Sequence, residues 1–435
     1  MHSFAPEITL ITILSLVVFS DAIANRLKIP SVFILLFGSY IIYTYLPMAV
    51  PIDLKHNFDT IILFCIPLIF MGDALHLHFS DVKKYGWDIF YLAVVAVALS
   101  ISVGASLYYL NIFEELTLGA YVSLFAINMA TDAVSVQSIL SRFTGISHHL
   151  KVLIEGESLG NDATAVIAFF FIGLPWMMSG TIDPTQAGIS ALKVFAMSLV
   201  IGIVLGFIFY MIMKLFSDKR GELFAFIIEA YLAYVVAEEM HISGILTLIT
   251  AIIATKAWID SDIEDQEEDI AKKSKSFMKK IRLDKIKATT KERLEYIYEM
   301  AKEFGYIAAV MIFFVLAEMV HPEKLWEYKG EILIMFFATT LIRAISMAKF
   351  AFIGSKTKHI DPVGKEGWFI LTFSGMKGAL SIILVHMIPD SFAHKELFEV
   401  VTVGVVGLSI FVYGTTLWTY FTFYKKEDKV SLFKK

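Results

Sequence analysis

The chain has 435 residues, 57% of them hydrophobic and only 18% charged, with a formal net charge of −5. Ordinary soluble domains hold roughly 45–50% apolar and about 25% charged residues, so the composition excludes a soluble globular protein of usual make-up, and the mildly acidic balance gives no footing for nucleic acid. A single cysteine, Cys65, excludes an intrachain disulfide and a cysteine-based metal or redox centre.

Crossing a bilayer core of about 30 Å takes about 20 helical residues, and apolar windows of that length recur along the chain. Thirteen are read in order: 7–24, 29–47, 59–77, 88–110, 117–140, 150–174, 187–214, 222–238, 241–258, 303–321, 330–353, 367–388 and 396–424. A membrane β-barrel shows short alternating segments instead, and runs such as Ile61–Phe70 are continuously apolar. The expected fold class is therefore an all-α membrane protein of about thirteen transmembrane helices. Met1–Glu7 has no basic stretch and no small-residue cleavage site, so the first window is expected to be a retained span.

Basic residues near helix ends resist translocation. Loops holding Arg26 and Lys28, Lys83 and Lys84, Arg142 and Lys151, Lys214, Lys219 and Arg220, and Lys356, Lys358 and Lys365 alternate with loops poor in lysine and arginine. This predicts an outside N terminus and a cytoplasmic C terminus in a cell (inner or plasma) membrane. The expected organisation is spans one to nine in 1–258, with spans one to six (7–174) as a first repeat. A charged cytoplasmic linker follows at 259–302, then spans ten to thirteen in 303–424 and a short cytoplasmic tail at 425–435. Two helix breaks are expected, at Thr131-Asp132 in the fifth span and at Ser374–Gly378 in the twelfth. Secondary transporters commonly set ion sites where interrupted helices from inverted repeats meet near the midplane.

An ionisable side chain at the bilayer centre costs about 2.5–3.5 kcal/mol on insertion scales, so each one needs a reason. Those read inside spans are Asp132, Glu155, Glu157, Asp162, Glu229, Glu318, Arg343 and Lys377, with Asp21 and Asp73 nearer span ends. The densest group is the Glu155–Thr164 run, Glu-Gly-Glu-Ser-Leu-Gly-Asn-Asp-Ala-Thr. On a helix, Ser158 and Asp162 share one face, and Glu157 and Asn161 the neighbouring one. Such a stripe of oxygen ligands suits a hard monovalent cation. Glu229 and Glu318 receive no role beyond interhelical hydrogen bonds.

Residues 156–166, Gly-Glu-Ser-Leu-Gly-Asn-Asp-Ala-Thr-Ala-Val, resemble the Asn-Asp signature of NhaP-type sodium/proton antiporters of the monovalent cation:proton antiporter-1 family. Thr131-Asp132-Ala-Val-Ser-Val, Ile242-Ser-Gly-Ile-Leu and Gly375-Met-Lys-Gly-Ala-Leu-Ser381 are similar to further motifs of that family, in the same order. The resemblance implies an inverted-repeat fold with broken, crossing fifth and twelfth spans, and a homodimer. It makes Asp162 the carboxylate that alternates between proton and cation, with Asp132, Thr131 (through its carbonyl) and Ser158 as further ligands of transported Na+. Asn161 would help hold the crossing helices. Glu157 would be structural and paired with a buried cation, for which both Arg343 and Lys377 qualify. Two departures stand out: Lys377 occupies the family's usual arginine position, and Ala133 replaces a proline that would explain unwinding of the fifth span.

Burial favours the neutral form of a carboxyl group and a bound cation favours the ionised form, so one carboxylate trades a proton for Na+. An empty charged site is expensive to carry across a bilayer, so the loaded forms are the ones expected to move. Asn161 leaves one titrating group in the Asn-Asp pair, which predicts electroneutral one-for-one exchange by alternating access, without a cofactor and toward pH homeostasis. Three other readings stay open at this level: Li+ or K+ as the exchanged cation with the same site, a passive cation channel, and an intramembrane hydrolase. The last rests on Gly156-Glu-Ser158-Leu-Gly160, which matches a nucleophile-elbow pattern, with His386 as base. Thr131-Asp132 also fits a plain helix N-cap.

Overall fold

The computed structural model describes residues 4–27, 29–51, 58–113, 115–140, 143, 146–216, 218–273, 291–352 and 363–424. The expected Lys28, Arg142, Lys356 and Lys358 of the basic loops, the 274–290 part of the linker and the 425–435 tail lie outside these residues.

Every described regular element is helical, and each of the thirteen windows holds a helix. They are α1 (Ala5–Leu27), α2 (Ser31–Tyr45), α3 (Phe58–His76) and α4 (Phe79–Leu110). The fifth span is two pieces, α5a (Leu118–Ile127) and α5b (Ala133–Leu140). Then come α6 (His148–Ser179), α7 (Pro184–Met213), α8 (Lys219–Glu239), α9 (Gly244–Lys273), α10 (Lys291–Met319) and α11 (Lys329–Phe352). The twelfth span is again two pieces, α12a (Gly364–Phe373) and α12b (Ala379–His386), and α13 (Lys395–Thr419) closes the set. The helix of the ninth window does not stop at its apolar edge: α9 carries on through the acidic block to Lys273. Local sequence explains several ends. Thr117, Ser147 and Asp218 cap α5a, α6 and α8 by accepting from backbone N–H groups three residues on. In α6, Pro175 has no N–H to give, and the preceding turn, Phe169–Gly173, relaxes into a π-turn.

The chain divides into two compact units, one of 1–63, 85–191 and 309–435, the other of 64–84 and 192–308. In the first unit α4 and α6 approach closely because α6 carries glycine where they meet. A methyl group on Gly160 would lie 2.5 Å from Ala93 Cβ, and one on Gly156 would lie 2.8 Å from the Ile89 side chain. Small residues four apart are how membrane helices gain contact when lipid is as apolar as their side chains.

The second unit uses the same device. Along α7, Ser198, Gly202 and Gly206 form a small-residue stripe against α9: Ser243 N–H donates to Ser198 Oγ at 3.1 Å, and a Cβ on Gly206 would sit 2.7 Å from the Ala251 carbonyl oxygen. Lys256 of α9 is buried and donates from Nζ to the carbonyls of Leu75 and, at 2.9 Å, Leu77, at the end of α3. A cation there meets the negative end of the helix dipole. Because backbone, not a flexible side chain, faces Gly206, Gly206→Val is expected to cost about 1–3 kcal/mol. Thermal unfolding in detergent should show a lowered midpoint, whereas Ile208→Val on the exposed side of α7 should leave it unchanged.

Candidate functional site

Both helix breaks fall inside the first unit and meet each other. After Ile127 the chain leaves the α-helix for residues 128–132, and after Phe373 it leaves it for 374–378. Asp132 N–H donates to the Met376 carbonyl at 2.8 Å, and the Ser381 hydroxyl donates to the Ile127 carbonyl at the same distance. Lys377 N–H is taken by Ser409 Oγ of α13 at 2.9 Å. Gly378 has to be glycine for this crossing, since a Cβ there would lie 2.3 Å from Asp132 Cβ. The missing proline at Ala133 is thus not needed: the break in α5 is held by partners from α12b and α6 rather than caused by a residue of its own.

The α6 signature faces the α5 break. Asp162, 6% exposed, accepts the Thr131 N–H at 3.0 Å through Oδ1. Ser158 Oγ donates to the Thr131 carbonyl at 3.0 Å and lies 3.2 Å from Thr131 Oγ1, which takes the Asn161 amide at 2.8 Å. These bonds are mutually consistent, with Asn161 giving to Thr131, Thr131 giving to Ser158, and Ser158 giving back to the Thr131 carbonyl. Asp132, at the head of α5b, receives the Ser135 hydroxyl. Thr131, Ser158, Asn161 and Asp162 are therefore brought together, with oxygens from α5 and α6; Asp132 follows Thr131 in the chain, and its carboxylate meets Ser135.

Glu157 lies on the adjacent face and is 2% exposed. Of its two candidate partners, Arg343 of α11 holds it, Nη1 to Oε1 at 2.7 Å and Nη2 to Oε2 at 2.8 Å. Lys377 forms no ion pair with it. The Arg343 guanidinium also donates to the carbonyls of Leu371 and Thr372 in α12a, at 2.8–3.1 Å, and Asn161 donates to Glu157 Oε1 at 2.9 Å. This fork geometry is one that a lysine ammonium does not supply. Lys377, 3% exposed, instead lines a cavity of about 20 Å³ with Glu157, Asn161, Arg343, Ser100 and Thr339, room for about one water.

Two groups escaped the sequence reading. Asp88, buried in α4, lies 3.6 Å from His149 Nε2, and the His149 ring stacks on Tyr85 at 4.3 Å. Asp88 sat at a window edge and His149 in what read as a loop, so the sequence held no signal of their meeting. The second is the pair Ser381 and Ser409, whose partners Ile127 and Lys377 are set by tertiary contact. The hydrolase reading has no support here: Gly156–Gly160 is mid-helix, Ser158 is engaged with Thr131, and the His386 ring packs on Phe58 at 3.8 Å.

A profile of the sodium/hydrogen exchanger transmembrane family matches residues 11–422. The Na+/H+ antiporter NhaH of Halobacillus dabanensis is 26% identical over 428 residues, covering 96% of this chain and 98% of that protein. The Na+/H+ antiporter ApNhaP of Aphanothece halophytica is 26% identical over 360 residues, and the match takes in 82% of this chain but 63% of that longer relative. Among solved structures, the sodium proton antiporter MjNhaP1 of Methanocaldococcus jannaschii superposes with a TM-score of 0.74 at 16% identity, over 97% of this chain and 98% of that one. The fold is thus shared from end to end. Arg343→Leu should leave Glu157 buried and unpaired, at a cost of about 3–5 kcal/mol. The paired change Glu157→Leu with Arg343→Leu should recover most of the loss in thermal unfolding; a double variant no more stable than the single one speaks against the pairing.

Proposed function

The chain belongs to the sodium/hydrogen exchanger family, whose members are transporters and not enzymes, and we propose from this that it exchanges sodium for protons across a membrane, with Asp162 carrying either passenger. The observation that supports the assignment is the division of labour on α6: the Arg343 fork is committed to Glu157, while Asp162 accepts the Thr131 N–H at the α5 break. A carboxylate beside fixed dipoles and no dedicated arginine stays responsive to what binds it.

Na+ would be held by Asp162, Asp132, Ser158 Oγ and the Thr131 carbonyl, and a proton on Asp162 would displace it. Asn161 keeps the α5 break against α6 and adds no second titrating group, so one proton leaves for each cation bound. Moving the site while it is charged and empty is the costly event in hydrocarbon. Loaded forms therefore move and the empty form waits, which couples the two fluxes. The chain would work as a homodimer in the cell membrane, N terminus outside, serving pH homeostasis.

The test is dissipation of an imposed pH gradient in proteoliposomes on addition of Na+, Li+ or K+. Wild type should respond to Na+, and Asp162→Asn should lose the response; unchanged flux in the variant sinks the assignment. Clamping the membrane potential should leave the rate unchanged, and a response to potential would overturn one-for-one exchange. Since proton and cation compete for one carboxylate, the apparent KM for Na+ should rise as pH falls, by up to about tenfold per unit.

A further inference from the structure

The second unit holds a buried acid that the exchange mechanism does not use. Glu229 lies mid-way along α8 and is 0% exposed. Its Oε1 is 2.5 Å from Thr255 Oγ1 of α9, and that same hydroxyl oxygen is 2.9 Å from the Gly206 carbonyl of α7. Glu229 Oε2 has no hydrogen-bond partner among the described residues. A hydroxyl owns one hydrogen and a carbonyl owns none. If Thr255 gives its hydrogen to Gly206, the short contact to Glu229 is a hydrogen bond only when the carboxyl supplies the second hydrogen. A Cβ on Gly206 would sit 2.7 Å from the Ala251 carbonyl oxygen, so α7 and α9 also pack closely here.

The surroundings agree. Among the described residues no ion pair reaches Glu229, and several charged groups on the packed helices have other partners. Lys256 of α9 donates to Leu75 and Leu77, Glu222 of α8 meets Arg293 of α10 at 3.3 Å, and Asp262 of α9 takes Lys214 and the Tyr210 hydroxyl of α7. Tyr231 of α8 donates to the Phe64 carbonyl of α3, and the ring of His76, also of α3, packs on Tyr298 of α10. An ionised carboxylate with one shared donor and no counter-ion is the expensive case in an apolar interior; a neutral acid with one bare carbonyl oxygen is the cheap one.

We infer that Glu229 is a proton-binding site separate from the exchange site: it holds a proton throughout transport, and the chain Glu229–Thr255–Gly206 uses that proton to tie α8, α9 and α7 together. Its proton is a fixed part of the fold and not cargo.

Infrared difference spectroscopy on the reconstituted full chain tests this. Wild type minus Glu229→Gln at neutral pH should show a carboxylic-acid carbonyl band and no carboxylate stretches, and Thr255→Val should move that band toward the frequency of a free acid. The glutamine amide also donates to Thr255, so Na+-driven proton movement in Glu229→Gln should stay within about twofold of wild type. Carboxylate stretches in the difference spectrum overturn the inference, as does a more than about tenfold loss of exchange in the folded glutamine variant. Should Glu229→Gln fail to fold, Thr255→Val alone decides, since an unmoved band means no shared proton. The spectroscopic result does not depend on which residue carries the cation.

Discussion

Breaking a helix inside a membrane frees backbone donors and acceptors where no lipid atom can satisfy them. In this fold two such breaks satisfy each other. Asp132 N–H goes to Met376, the Ile127 carbonyl receives Ser381, Lys377 N–H finds Ser409, and Thr131 N–H finds the carboxylate of Asp162. Asp132, Thr131 and Asp162 thus belong both to the bonds that stabilise the interruption and to the candidate ion site. A change that spoils the crossing of α5 and α12 acts on the ligands as well, and any side chain at Gly378 would strike Asp132.

Around that crossing, charge is distributed unequally. Glu157 and Arg343 neutralise one another with two parallel bonds, and Arg343 also donates from Nε and Nη2 to the end of α12a. This joins α6, α11 and α12a through one buried pair. Asp162, one turn further along α6 than Ser158, accepts the Thr131 N–H instead. Lys377, the lysine in an arginine position, does not substitute for Arg343; the guanidinium that grips Glu157 comes from the neighbouring span.

Much of this was legible because membranes punish disorder in sequence. Thirteen apolar windows announced thirteen spans, and polar residues in the fifth, sixth and twelfth announced where something had to be solvated. Which cation would meet Glu157 was not legible, since Arg343 and Lys377 lie in adjacent spans and only their three-dimensional reach separates them. Nor was the cause of the α5 break. The eye looks for proline at 133, whereas the actual support comes from Ser381 and Met376, about 250 residues away in sequence. Glu229 was noted only as a source of interhelical hydrogen bonds; that its partner hydroxyl is shared with Gly206 is a matter of backbone approach that no single sequence displays.

Gly156, Ser158, Gly160 and Asp162 follow one another at every second position of α6, and the glycines lie against α4 while the oxygen-bearing residues face Thr131. An α-helix turns by about 100° per residue, so slipping this helix by a single position would drive bulky residues into α4 and swing both ligands away from α5. The orientation of the oxygens is thus decided when α6 docks, before any ion arrives. The site is in that sense a by-product of steric registration between two helices. Its chemistry is open to change by substitution at Ser158 or Thr131, while its aim is fixed by two residues that have no side chain at all.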